Sequence, residues 1–357
     1  MAWQGIEGHD DVVARFTTAA ALDRIAGSYL FIGPPGVGKT AFARKLAKAL
    51  LCQSRRDGLV PCDACASCVQ ADAGSHPDID VVEKPEDKST IPLELLIGDD
   101  QHRMRDGLCW RIKLRPAIGS RKAAIILDAD ALAEEAANCL LKTLEEPPDG
   151  AVIILVGTAL ERQLPTIRSR CQIVRFKPLD PDAVARILDL ESKAAGSNTD
   201  GDVIRAVAHA SGGSLARARL LLDPAAVTFR DTLVRLLTSR PLHGVDLAKE
   251  TIAFVEAAGK DAPPRRARLR VVLEAAIDFY RAALRRATTG EASADPMLAE
   301  AAARWATGAE DAGEETAILL HHTLDALDAI DRNANLTILI DAWTAILEAP
   351  RLAADKP

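Results

Sequence analysis

The chain has 357 residues, of which 48% are hydrophobic and 27% charged, with a formal net charge of −7. That length is too great for one small domain and fits two or three, while the acidic balance argues against a free-standing, tight DNA binder. No run of about 18 uncharged apolar residues occurs, so no membrane-spanning helix is expected.

Residues 1–7 lack a basic region followed by an apolar core, so no signal peptide is expected and the cytoplasm is the default location. Aromatic residues make up only 4% of the chain while alanine and leucine abound, which favours helix over sheet. In the first half, short apolar runs predict strands at 29–32, 79–82, 123–127, 151–156 and 172–176. Amphipathic patterns between them predict helices, notably at 40–51 and 131–146. Strands separated in this way indicate an α/β fold, a parallel sheet with helices on both faces.

Pro178 and Pro181 mark a break after the last strand. Short helices are predicted at 182–190 and 202–210. Ser211-Gly212-Gly213-Ser214 then caps a third that runs to residue 222. Asp223-Pro224 is a second boundary. Beyond it the pattern is helical to about residue 349, broken at Pro241, at Pro263-Pro264 and over the 290–296 stretch. The expected division is 1–178, 179–223 and 224–357.

Gly33-Pro34-Pro35-Gly36-Val37-Gly38-Lys39-Thr40 is a complete Walker A sequence between a predicted strand and helix. Glycines there let backbone N–H groups curl around phosphates at a helix N-terminus, where the dipole favours anions. Lys39 would reach the β- and γ-phosphates of ATP, and the Thr40 hydroxyl would ligate Mg²⁺. Asp128, closing the third apolar run, suits the second half of that site. The next residue, where a hydrolytic enzyme places a water-polarising glutamate, is Ala129. Asp130 is expected on the opposite side of an extended strand end, and could substitute only if the backbone bends there. Binding without efficient turnover is the expectation.

Cys52, Cys62, Cys65 and Cys68 place four thiols within seventeen residues just after the Walker A helix. Four thiolates at these spacings suit a closed tetrahedral Zn²⁺ site, stapling a polar module at 52–76. His76 competes with Cys52 as fourth ligand, and Cys52 is favoured. Cys109, Cys139 and Cys171 are expected as core thiols. Two basic clusters, at 103–122 and 265–286, are expected mainly as solvated faces or subunit contacts. A DNA-facing role is the sharper alternative for the first.

Asn138-Cys139-Leu140-Leu141-Lys142-Thr143-Leu144-Glu145-Glu146-Pro147-Pro148 resembles a helix-ending motif of bacterial DNA polymerase III clamp-loader subunits, and Ser169-Arg170-Cys171 resembles their Ser-Arg-Cys motif. The four-cysteine module, Gly74-Ser75-His76-Pro77-Asp78 and Asn333-Ala334-Asn335-Leu336 are similar to the same family. The resemblance implies an AAA+ nucleotide-binding domain, a small helical lid and an all-α collar. The collar would join other loader subunits, of gamma/tau and delta type, in a hetero-pentamer that places a sliding clamp on primer-template DNA. It further implies that Arg170 is an arginine finger acting in trans and that Thr158 is the sensor-1 residue.

Two departures from the family's motors stand out. Ala129 replaces the glutamate, and after Gly213-Ser214-Leu215 the lid arginine is replaced by Ala216, with Arg217 displaced about 100° around a helix. Both favour a stator-like subunit within the polymerase holoenzyme, with weak or absent hydrolysis of its own. The alternative is a gamma/tau-type motor ATPase, favoured by the intact Walker A sequence. Branch-migration activity and polymerase chemistry find no supporting residues.

Overall fold

The computed structural model describes residues 3–349, apart from 4, 56–58, 86, 87, 100, 104, 198, 240, 294 and 308–311. Residues 350–357 of the expected helical tail therefore lie outside the described residues. The chain divides into two compact units, residues 1–219 and 220–357. Most of the expected lid, 179–223, falls within the first unit.

The first unit opens with α1 (Asp10–Ala21), β1 (Ser28–Ile32), α2 (Lys39–Leu51), α3 (Ala66–Asp72) and β2 (Ile79–Val82). Two single-turn helices, α4 (Glu94–Ile97) and α5 (Leu108–Arg111), lead to β3 (Lys122–Ile126). A 3₁₀ turn at Ala129–Ala131 precedes α6 (Glu134–Glu145), then β4 (Ala151–Gly157), α7 (Pro165–Arg168) and β5 (Gln172–Arg175). The five strands are all parallel, in the order β2-β3-β4-β1-β5.

Both faces of the sheet are covered, which is why its strands read as unbroken apolar runs rather than alternating ones. Tyr29 and Phe31 of β1 join Ile125, Ile154 and Val174 on one face, packed with Phe16 of α1 and Phe42 and Leu46 of α2. Leu30 and Ile32 join Ile126, Ile153 and Leu155 on the other, packed with Leu96, Leu140 and Leu144. Parallel strands bring their carboxyl ends to one edge, so the segments after β1, β3 and β4 converge there.

Three helices complete this unit: α8 (Pro181–Ala194), α9 (Gly201–Ala210) and α10 (Leu215–Leu221), whose last residues cross the boundary between units. Asp180 and Asp200 each accept a first-turn N–H, from Asp182 and Asp202 respectively, satisfying donors that a helix start leaves orphaned.

The second unit holds α11 (Pro224–Leu237), α12 (Gly244–Glu256), α13 (Ala262–Thr289), α14 (Pro296–Ala306), α15 (Ala312–Asp331) and α16 (Leu336–Glu348). The Pro263-Pro264 pair, read from sequence as a break, lies in the first turn of the 28-residue α13. A helix start tolerates proline because the missing N–H has no partner there. The core gathers Leu233, Leu237, Leu273, Phe279, Tyr280, Trp305, Leu319 and Trp343. Among the described residues no helix is long and apolar enough to cross a membrane.

Candidate functional site

The Walker A loop leaves β1 at Ile32 and enters α2 at Lys39, through Gly36 and Gly38 at φ of 76° and 98°. Those left-handed values suit glycine alone among common residues. At Gly33 a Cβ would come within 2.3 Å of the Phe176 carbonyl oxygen. At Gly36 it would meet Ser214 Oγ at 2.3 Å, because the start of α10 lies directly over the loop and Leu215 N–H donates to Gly36 O at 2.9 Å. Val37 is buried, and its carbonyl pairs with His9 Nε2 at 2.7 Å. Pro34 and Pro35 are exposed and Thr40 is half-buried.

Lys39 is only 7% exposed and donates to the carbonyls of Gly33 (2.6 Å) and Pro34 (2.7 Å) of its own loop. Burial lowers its pKa to about 8, against an opposing pull from Asp130. A desolvated ammonium held by two neutral carbonyls is a strong donor toward an anion. The donor set therefore suits a phosphate.

The chain bends sharply after β3. Asp128 takes a left-handed conformation (φ 52°, ψ 42°) and Ala129–Ala131 closes a 3₁₀ turn on it. Burial pushes the Asp128 carboxyl upward, opposed by the backbone N–H and charge of Lys84. Ala129 is turned into the apolar cluster that holds Ile126 and Leu132. The bend delivers Asp130 instead. Its carboxylate accepts Thr158 N–H at 2.8 Å and the side-chain amide of buried Gln163. Gly157 makes room for this: a Cβ there would come within 2.5 Å of Gln163 Nε2 and 2.9 Å of Asp130 Oδ1. Thr158 and Asp130 thus meet through the bend on which any substitution of Asp130 for the missing glutamate depends, and Lys39 feels the Asp130 charge. Gln163 and His9 went unnoticed, since nothing in their local sequence marks them.

The four thiols gather as expected. The sulfurs of Cys52, Cys62, Cys65 and Cys68 lie within 4.8 Å of one another and could hold a metal ion. Backbone N–H groups already face them: Cys62 N–H donates to Cys52 Sγ and Cys65 N–H to Cys62 Sγ, both at 3.3 Å. For Cys65, burial opposes ionisation, but N–H groups of Cys68 and Gln53 outweigh it and bring the thiol to about 6. Burial pushes Cys68 up to about 12. Such a set is suited to thiolate ligation of zinc.

His76 stands apart from the four. Its Nδ1 accepts Asp78 N–H at 3.0 Å and its Nε2 donates to Ser67 Oγ at 2.9 Å, while Ser67 in turn donates to Leu51 O at 2.8 Å. This relay anchors the module to the end of α2. Buried Lys48 adds a second anchor, bridging Asp63 and Asp72 at 2.5 Å each.

Arg170 follows α7 at the unit's surface. Its Nε donates to Glu145 Oε1 at 2.6 Å and its Nη1 to Thr166 O at 3.0 Å. The basic clusters are partly absorbed by the fold. Arg111 pairs with Asp80 (2.7 Å) and Asp106 (3.2 Å), Arg121 with Asp23 (3.1 Å), and Lys122 is buried against Arg111 O. In the second cluster, Arg268 lies 4.9 Å from the Phe254 ring centroid and Arg270 pairs with Asp331. Arg103, Arg105, Lys113 and Arg115 are exposed.

Residues 8–180 match the family model described as DNA polymerase III, delta subunit. The gamma/tau subunit of DNA polymerase III from Mycobacterium tuberculosis is 32% identical over 260 residues, covering 71% of this chain. The chain belongs to the DNA polymerase III clamp-loader subunits. The delta-prime subunit of Bacillus subtilis is 35% identical over 162 residues, and that of Pseudomonas aeruginosa 38% over 146, covering 45% and 41% of this chain. The matched stretch spans less than half of each relative: 43%, 45% and 42% of their lengths. The five-stranded parallel sheet with helices on both faces, followed by helices alone, is the α/β arrangement expected from the sequence.

Proposed function

We propose that this chain is a delta-prime-type subunit of the clamp loader, which binds Mg-ATP through its own loop and completes the catalytic site of a neighbour. In this reading it joins gamma/tau and delta subunits in a hetero-pentamer that loads the sliding clamp on primer-template DNA during replication. Gly33 to Thr40 would hold the phosphates, with Lys39 on the β- and γ-phosphates and Thr40 and Asp128 on Mg²⁺. Bound ATP and Mg²⁺ would bring the phosphate charge that Lys39 lacks. Zn²⁺ on Cys52, Cys62, Cys65 and Cys68 would serve folding alone.

The observation that carries the reading is how the strand end after β3 is built. Ala129 is buried in the core, and the carboxylate that faces Thr158 is Asp130, already engaged by two N–H donors. A general base must aim a carboxylate oxygen at the attacking water, whereas both Asp130 oxygens are oriented by the Thr158 N–H and the Gln163 amide. This chain would therefore hold nucleotide without turning it over efficiently. Its contribution to turnover would be Arg170, whose guanidinium fork matches the charge developing on a transferring phosphoryl group.

Two observations favour a second reading, a gamma/tau-type motor. The bend at Asp128 sets a carboxylate within electrostatic reach of Lys39, and a gamma/tau relative matches 71% of the chain. Reconstituting the loader with Arg170→Ala in this chain tests the trans-acting role, and phosphate release by the purified chain alone separates the stator from the motor. The stator reading expects ATP turnover by the assembly to fall about a thousandfold at the affected site, with the pentamer intact. Unchanged turnover would remove it.

A further inference from the structure

We infer that Glu145 is the positioning residue for Arg170, fixing the guanidinium in register for the nucleotide of the neighbouring subunit. The inference rests on the trans-acting role proposed above for Arg170. Glu145 is the last residue of α6, and Arg170 follows α7, twenty-five positions later. Nε of Arg170 donates to Glu145 Oε1 at 2.6 Å, and Nη2 turns to the same oxygen. Nη1 donates to Thr166 O at 3.0 Å and to Ser169 Oγ at 3.2 Å. All three guanidinium nitrogens are thus held by the arginine's own chain, and one N–H of Nη2 lies outside these four bonds.

The contrast with Arg168 is informative. That side chain lies two residues earlier, is exposed, and enters no ion pair among the described residues. Only Arg170 is tethered, and its tether comes from the end of a helix packed on its own. An untethered arginine samples many rotamers and must lose that freedom on meeting a phosphate, whereas a planar fork held at Nε has already lost it. A phosphate carries more charge than a carboxylate, so it can recruit Nη1 from its hydroxyl and carbonyl partners while Glu145 keeps hold of Nε. Such pre-orientation acts on the rate of the chemical step more than on nucleotide affinity.

The test uses the reconstituted loader carrying this chain as Glu145→Ala, Glu145→Gln, Arg170→Ala and the double variant Glu145→Ala/Arg170→Ala. Thermal melting and size-exclusion chromatography establish that each variant folds and assembles. If Glu145 positions Arg170, Glu145→Ala lowers kcat for ATP about tenfold while KM barely moves. Glu145→Gln, whose amide oxygen accepts the same N–H, recovers most of the loss. The double variant is no slower than Arg170→Ala. If Arg170→Ala slows turnover but Glu145→Ala leaves it unchanged or faster, the positioning role is overturned and the trans-acting arginine stands. If Arg170→Ala has no effect, both fall.

Discussion

Asp130 accepts the backbone N–H of Thr158 at 2.8 Å and so ties the segment after β3 to the end of β4, beside the Walker A loop. The bond exists because Asp128 adopts a left-handed conformation that turns the next residues back on themselves. Aspartate enters that region more readily than most residues. The two carboxylates consequently differ in kind: Asp130 is paired, while Asp128 is raised by burial.

They should respond oppositely to substitution. Asp130→Ala leaves the Thr158 N–H and the Gln163 amide without their acceptor, and should cost about 1–3 kcal/mol of stability. Asp128→Asn removes a desolvated charge and keeps a residue tolerant of the left-handed turn, so stability should hold or rise slightly. Urea denaturation of the nucleotide-free protein compares them. Equal losses would contradict the assignment of Asp130 as the paired group.

Lys39 predicts a dependence on pH. Its folded pKa, about 8, lies below the ordinary 10.5, so between those values the unfolded chain binds more protons than the folded one. Stability of the nucleotide-free protein should therefore rise as pH climbs through that window. Below it the charged, desolvated lysine costs about 3 kcal/mol, a cost that bound phosphate offsets. Nucleotide affinity should accordingly weaken as pH rises above about 8. Lys39→Met should abolish both effects; a pH-stability profile unaltered by it would exclude Lys39 as their source.

The cysteine module should carry about one equivalent of zinc per chain, measured by elemental analysis of protein purified without chelator. Cys52→Ser should release the metal and lower the melting temperature. His76→Ala should retain it, since His76 is committed to Ser67 and Asp78, yet still lose about 1–3 kcal/mol from the broken relay. Loss of zinc in His76→Ala but not Cys52→Ser would reverse the ligand assignment.

In the helical unit, the buried Trp343 indole donates to Thr323 Oγ1 at 3.1 Å, and Thr323 donates to Leu319 O at 2.7 Å. Thr323→Val preserves shape but strands the indole N–H, and should cost about 1–3 kcal/mol. Thr344→Val, which removes only contacts to the Ile340 and Asp341 carbonyls of the preceding turn, should be nearly neutral. Guanidinium denaturation checks the pair.

Much of this fold was legible in the residues. The five strands fall within one residue of their expected limits at each end, because buried parallel strands are short apolar runs with polar flanks. Lys39 and the four cysteines were placed by spacing alone. The helix expected at 131–146 is shorter, Glu134–Glu145, because Ala133 is extended and the preceding turn is 3₁₀. That bend left no glycine or proline signature. Nor could spacing reveal that Glu145 meets Arg170, since the contact depends on how α6 and α7 end against one another.

The most direct test of the account is to give the purified chain Mg-ATP and record nucleotide binding and phosphate release together. Saturable binding with no release above background is the predicted result, the behaviour of a subunit that holds ATP and lends Arg170 elsewhere. Steady release at the rate of an ordinary AAA+ motor would contradict it, and would make Asp130 a working catalytic carboxylate.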